Sequence, residues 1–174
     1  MNILKTHIFT CSRYIKTGFF LVLVAILFSQ CHSSDSKQSE TMKTYAIRLK
    51  PGQDLRKEIE AFVKKEQIEA GWIMSCAGSL TQKNIRYANQ PEGKMEQGHF
   101  EIVSLTGTLS INGCHLHIST SDSLGNTTGG HLLENNIVYT TAEIIIGASS
   151  EMIFKREKDG TTPWEELQII TRKK

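Results

Sequence analysis

The chain has 174 residues, with 20 lysines and arginines against 18 aspartates and glutamates, a formal net charge of +2. That length fits one domain with a sizeable hydrophobic core. The first 30 residues hold Lys5, Arg13 and Lys16 and no acid, so the remainder has 17 basic and 18 acidic side chains. This near-neutral balance argues against nucleic-acid binding, which depends on clustered positive charge.

The N-terminal segment predicts export. Residues 18–28 form an apolar run that follows the three basic side chains. The run is too short to span a bilayer, which takes about 20 residues. Basic residues before an apolar run and small polar residues after it are typical of a secretory signal. We expect residues 1–30 to be a signal peptide, and a stably spanning helix is the alternative interpretation.

The end of the apolar run, Leu27 to Cys31, resembles a lipoprotein signal, in which the cysteine becomes the lipidated first residue. Gln30 departs from that pattern, because a small residue is usual there. Residues 31–42 are polar and lack apolar periodicity, which is typical of a flexible tether. We therefore expect an exported protein of the cell envelope or periplasm, with Cys31 as its lipid anchor and residues 43–174 as its folded domain.

The first predicted elements of the domain are a strand and a helix. Apolar residues alternate over 45–49, which predicts a strand. Asp54 can cap a following helix because its carboxylate can accept hydrogen bonds from the free amides of the first turn. Four apolar residues then share one helical face: Leu55, Ile59, Phe62 and Val63.

The rest of the domain is rich in predicted strands. Residues 71–77 predict a strand buried on both faces that ends at Gly78. Asn112-Gly113 predicts a two-residue type I′ turn, which would pair Ser110 with His115 and Thr108 with His117. The other strands are predicted at 84–88, 99–111, 114–121, 136–147, 151–157 and 165–172. The sequence thus predicts an α/β fold of the α+β type, with a mostly antiparallel sheet of six or seven strands and one main helix.

Two histidines on one strand carry the main candidate chemistry. Because strand side chains alternate, His115 and His117 share one face, while Cys114, Leu116 and Ile118 point to the other. This spacing can chelate a metal ion. A glycine-rich stretch, residues 121–131, is predicted as a loop that folds back and brings His131 to the pair. The alternative is that His115 and His117 are simply exposed on the wet face of a sheet.

Three further residues were open to more than one interpretation. Cys76 and Cys114 can form a disulfide in an oxidising compartment, or remain two buried thiols that behave as small hydrophobic residues. Glu143 lies within an apolar strand, where a carboxylate is costly unless it is paired. It is a candidate metal-site partner, general base or interface residue.

The ordered motifs resemble a known family, the PPC domain (plants and prokaryotes conserved). The matching stretches are residues 98–103, 104–107, His115-x-His117, 129–131 and 141–144. The resemblance implies a small fold with a mostly antiparallel sheet, and assembly as a homotrimer. It also implies zinc as the cofactor, with His115, His117 and His131 as its ligands. In plant members a Gly-Arg-Phe-Glu-Ile-Leu stretch contacts partner proteins, and His99 replaces its arginine here.

Three functions follow from these observations. The first is a metal-dependent enzyme or small-molecule binder outside the cytoplasm. The second is a trimeric interaction module without catalysis. The third is the DNA-binding activity with which the family is often labelled. The chain contains no Arg-Gly-Arg-Pro hook and has a predicted export signal, so we expect no nucleic-acid partner and a membrane contact through the lipid anchor alone.

Overall fold

The structure is a computed structural model that describes residues 42–173. The predicted signal peptide, residues 1–30, and the anchor Cys31 lie outside the described residues. Over the part that is described, no helix has the length and apolar character needed to cross a membrane. The elements in chain order are β1 (Met42–Leu49), α1 (Leu55–Lys65), β2 (Gly71–Arg86), β3 (Lys94–Leu109), β4 (His115–Ser121), β5 (Thr127–Leu132), β6 (Ile137–Ser149), β7 (Met152–Glu157) and β8 (Glu166–Thr171).

Six strands form one antiparallel sheet in the order β1-β6-β2-β3-β4-β5, and β7 and β8 form a second, two-stranded sheet. The end of β2 also pairs with β5, so that Ile85 lies opposite Leu132 and Arg86 opposite His131. This extra pairing closes β2, β3, β4 and β5 into a ring. The prediction of a mostly antiparallel sheet with one main helix is confirmed.

One hydrophobic core combines the inner side of the ring with the apolar face of α1. The Asp54 carboxylate caps the helix as predicted, accepting hydrogen bonds from the backbone N–H groups of Arg56 at 3.0 Å and Lys57 at 3.2 Å. Burial of each large apolar side chain stabilises the fold by about 1.5–3 kcal/mol. The fully buried residues include Leu55, Ile59, Leu80, Ile85, Leu116, Ile118, Leu132 and Ile144.

Strand β2 corrects two predictions. Residues 71–77 and 84–88 were predicted as separate strands, but β2 continues through Gly78 as one strand of 16 residues. The register shifts between Gly78 and Leu80, which makes the glycine a bulge that bends the strand rather than ends it. Burial on both faces is also wrong, since Met74 is 50% exposed. An antiparallel sheet can leave one face in water.

The connection between β3 and β4 is longer than predicted. Instead of a two-residue turn, residues 110–114 link the strands, and Gly113, but not Asn112, has a positive φ. The cause is tertiary: the Ser110 hydroxyl and the Asn112 side-chain amide both donate to the carbonyl of Phe154, at 2.9 and 3.0 Å. A local turn signal contains no information about this anchor on β7.

The register of the β3–β4 pair differs from the prediction as a result. Thr108 lies opposite His115, and Thr106 lies opposite His117. The shift is two residues. Because strand side chains alternate with a period of two, an even shift keeps every side chain on its predicted face.

Candidate metal centre

Strand β4 presents the two faces that its alternation predicts. Leu116 and Ile118 are each 2% exposed, whereas His115 and His117 are exposed on the opposite face. The two imidazole rings therefore stand side by side on the outside of the ring of strands, with ring centroids 5.0 Å apart.

His131 reaches this pair from a strand rather than from a loop. The predicted loop over 121–131 is wrong, because residues 127–132 form β5 and pair with β4, which places His131 opposite His117. Gly130 allows β5 to lie close to β2, since a Cβ at that position would be 2.5 Å from the carbonyl oxygen of Arg86. Strand pairing therefore fixes His131 beside the other two rings.

The three rings direct one nitrogen each to a common point. His115 Nε2 and His117 Nε2 are 3.1 Å apart, and each lies 3.2 Å from His131 Nδ1. Two nitrogens that bind one zinc ion tetrahedrally at about 2.0–2.1 Å lie about 3.3 Å apart. The triangle of nitrogens therefore has the size of a three-histidine metal site, and the three residues could hold a metal ion.

Hydrogen bonding alone does not account for this triangle. The relevant nitrogen of a neutral imidazole is either a donor with one proton or an acceptor with one lone pair. Three such nitrogens at mutual distances of 3.1–3.2 Å leave at least one pair in which two lone pairs or two protons face each other. A cation at the centre would accept all three lone pairs and remove that conflict.

The surroundings of His115 and His131 favour the neutral imidazole, which is the form that binds metal. Burial lowers the pKa of His131 to about 4, and the nearby Arg86 adds to the effect. Burial also lowers the pKa of His115 from its ordinary value, and Arg156 is the next largest cause.

The lowered pKa of His131 predicts how the metal-free protein responds to acid. In the unfolded chain a histidine takes up a proton below about pH 6.5, whereas folded His131 stays neutral to about pH 4. The unfolded state therefore binds more protons between these pH values, and the free energy of unfolding falls as the pH falls. We expect urea unfolding midpoints to drop more steeply from pH 7 to pH 5 in the wild type than in His131→Gln. An equal pH dependence of the urea midpoint in the two proteins would contradict the lowered pKa of His131.

Neither the candidate Glu143 nor Asp122, the acidic residue of the stretch that leads to His131, belongs to the cluster. Asp122 is occupied by the β4–β5 turn, where its Oδ1 accepts hydrogen bonds from the backbone N–H groups of Leu124 and Asn126, both at 2.9 Å. Glu143 is exposed on β6, opposite Arg48, and β2 and β3 lie between β6 and β4 in the sheet. Of the residues that the structure describes, only the three histidines form a group with metal-binding geometry here.

The two cysteines of the domain are free thiols, each half-buried. Burial raises the pKa of the Cys76 thiol to about 12, and it also raises the pKa of Cys114. Both thiols therefore stay protonated at neutral pH and are poor nucleophiles. This agrees with the interpretation of both as small hydrophobic residues.

A cleft of about 1330 Å³ opens beside the cluster and reaches His115 and His131. Its wall includes Arg56, Arg86 and Arg156, which the sequence analysis did not single out. Arg86 comes next to His131 only through the β2–β5 pairing. No local motif marks that contact.

An antiparallel sheet closed around an apolar core, with three convergent imidazoles on its outside, defines a small domain able to hold a metal ion. The family model of the Plants and Prokaryotes Conserved (PCC) domain matches residues 36–150. The chain belongs to this family, and the resemblance drawn from its motifs is confirmed.

Similar proteins fall into curated relatives and solved structures. The chain is 41% identical over 129 residues to the bifunctional protein GlmU of Synechococcus sp. (strain JA-3-3Ab), which covers 74% of this chain and 21% of that protein. This chain thus spans about a fifth of the length of the GlmU proteins that it matches.

Two solved structures share the fold. A hypothetical protein of Salmonella enterica is 41% identical with a TM-score of 0.75, covering 76% of this chain and 96% of that one. A metal-containing protein of Archaeoglobus fulgidus is 28% identical with a TM-score of 0.62, covering 72% of this chain and 93% of that one.

Proposed function

We propose that the protein binds one divalent metal ion, zinc in preference to others, through His115, His117 and His131, and that this site binds or acts on a small molecule outside the cytoplasm. The observation that carries the proposal is the triangle of ring nitrogens with edges of 3.1–3.2 Å. Imidazole nitrogen suits zinc, although nickel, copper and iron accept it too. Calcium and magnesium prefer oxygen, and no carboxylate joins this group among the described residues.

Three protein ligands are typical of a zinc site that keeps a position open for water or substrate. A bound ion would supply a Lewis acid at that position. The similar Archaeoglobus fulgidus protein is described as metal-containing, which supports the proposal. The metal content of the protein, purified without a histidine tag, tests it. About one equivalent of zinc per chain would support the metal site. A preparation that contains no metal and does not bind added zinc would favour the alternative of a trimeric interaction module without catalysis.

DNA binding is the alternative that the family label suggests. It is disfavoured because the chain after its first 30 residues has 17 basic and 18 acidic side chains and lacks an Arg-Gly-Arg-Pro hook. Affinity for duplex DNA rests on the neutralisation of several phosphates by clustered lysine and arginine.

Assembly as a homotrimer belongs to the same proposal. Large apolar side chains lie exposed on β2 and β3, with Met74 at 50%, Met95 at 54% and Val103 at 57% exposure. Exposed apolar surface of this kind favours burial between subunits. We expect light scattering at micromolar concentration to give three times the mass of the chain. A monomeric mass would contradict the trimer.

Export completes the proposal. Lys5, Arg13 and Lys16, the apolar run of residues 18–28 and Cys31 support cleavage and lipidation. When the full chain is expressed in a Gram-negative host, the mass of the mature protein should correspond to a lipidated N-terminus at Cys31. An intact Met1 in the cytosol would contradict export, and cleavage without lipid would indicate a soluble periplasmic protein.

A further inference from the structure

The cleft beside the three-histidine cluster is more basic than the chain as a whole. Three acidic side chains line it, Glu60, Glu165 and Glu166, against five basic ones. Glu60 already pairs with Arg56, whose Nε lies 2.9 Å from the Glu60 carboxylate. The basic residues are Arg56, Lys64, Arg86, Arg156 and Lys158.

Two of the arginines are held directly beside the histidines. Arg86 lies opposite His131 in the β2–β5 pairing, and cross-strand partners project from the same face of a sheet. Arg86 donates one long hydrogen bond, from Nη1 to the carbonyl of Gln90 at 3.4 Å. A guanidinium has five N–H donors in a planar fork, so most of the Arg86 fork remains available.

Arg156 approaches the cluster from the C-terminal hairpin. It lies on β7, and its Nη2 donates to Thr108 Oγ1 at 2.5 Å. Thr108 is the cross-strand partner of His115, so this hydrogen bond places the second guanidinium on the His115 side of the cluster. The hairpin lies beyond residues 36–150 that the family model matches.

Guanidinium groups recognise carboxylates and phosphates because their parallel N–H donors match two oxygens of such an anion. Two arginines beside the three-histidine cluster, in the wall of one cleft, therefore favour a ligand with negatively charged oxygens. The cleft volume of about 1330 Å³ exceeds the roughly 300–1,000 Å³ of ordinary ligand pockets, so a small organic anion fits. The acidic residues in the same wall oppose a long polyanion.

We propose that this cleft is the recognition site for a small oxyanion, a carboxylate or a phosphate, held by Arg86 and Arg156 beside the three-histidine cluster. The inference rests on the proposed metal function, because it names the class of ligand for that site. It adds a role for two residues outside the histidine motif, one of them on the C-terminal hairpin.

The test is a titration of the zinc-treated protein with three probes: malonate, inorganic phosphate and the neutral malonamide. Calorimetry measures the heats, and the fluorescence of Trp164, which lines the cleft and is 68% exposed, gives a second readout. Trp164→Phe identifies the part of the signal that comes from the cleft. We expect saturable binding of malonate or phosphate and none of malonamide, and the comparison of the two anions identifies the preferred headgroup.

Arginine variants separate recognition by the side chains from binding to the metal alone. Arg86→Gln and Arg156→Gln should each weaken anion binding by about tenfold or more, because a hydrogen bond to a charged group is lost. Both variants should still bind zinc, because neither arginine is one of the three nitrogen ligands. Arg48→Gln is the matched control, since Arg48 is exposed on β1 and hydrogen-bonds Thr141 on β6, away from the cleft.

The outcomes distinguish the two proposals. Zinc binding without any anion binding would overturn the oxyanion site and leave the metal proposal standing. Anion binding that is unaffected in the Arg86→Gln/Arg156→Gln double variant would also overturn it, because the arginines would then have no role. Failure to bind zinc would instead overturn the metal proposal.

Discussion

Replacing His117 with alanine should abolish high-affinity zinc binding. His117 Nε2 lies 3.1 Å from His115 Nε2 and 3.2 Å from His131 Nδ1, so its loss removes one corner of the triangle. Loss of a residue that merely supports a metal ligand lowers metal affinity by about 10–100-fold. We expect the loss of a ligand itself to lower zinc affinity by more than about 100-fold. Calorimetric titration with zinc at neutral pH measures the change.

The matched control is His99→Ala. His99 is also an exposed histidine on a strand, but its ring packs on Tyr139, with centroids 4.3 Å apart. It is no part of the three-histidine group, so its removal should leave zinc affinity unchanged. Equal effects of the two substitutions would mean that zinc binds the chain nonspecifically.

Replacing Gly107 with alanine should destabilise the domain by about 2–3 kcal/mol. Gly107 lies in β3 with a φ of 143°, and a Cβ there would be 1.9 Å from the carbonyl oxygen of His115. That contact requires the backbone of β4 to move at the first histidine of the site. We therefore expect both a lower urea midpoint and weaker zinc binding.

Gly125→Ala separates steric crowding from backbone strain. Gly125 has a φ of 84° in the β4–β5 turn, and nothing lies within 4 Å of a Cβ placed there. Its substitution should cost only about 1 kcal/mol, the strain of a left-handed backbone. If Gly107→Ala were no more destabilising than Gly125→Ala, the result would contradict the close contact between Gly107 of β3 and the backbone of His115.

The two faces of β4 followed from the sequence because side-chain alternation is a local property of a strand. Because side chains alternate along a strand, His115 and His117 lie on one face of β4 and Leu116 and Ile118 on the other, whatever the register of the pairing. The helix α1 was predictable for the same reason, since Asp54 and the apolar spacing act within one segment. The glycine-rich stretch before His131, and then the family resemblance, linked His131 to the pair.

Pairings between distant segments were beyond local patterns. The anchor of Ser110 and Asn112 on the Phe154 carbonyl changed the β3–β4 connection, and nothing near Asn112-Gly113 signals it. The glycines before His131 indicated a loop, whereas Gly129 and Gly130 allow β5 to lie close to β4 and β2. The net charge of the chain did not indicate the basic cleft either, because the fold brings Arg86 of β2 and Arg156 of β7 into one wall.

A calorimetric titration of the untagged protein with zinc at neutral pH tests the central claim most directly. The three convergent nitrogens predict saturable binding of one zinc ion per chain. A titration that shows no binding would contradict the metal site and, with it, the proposed function.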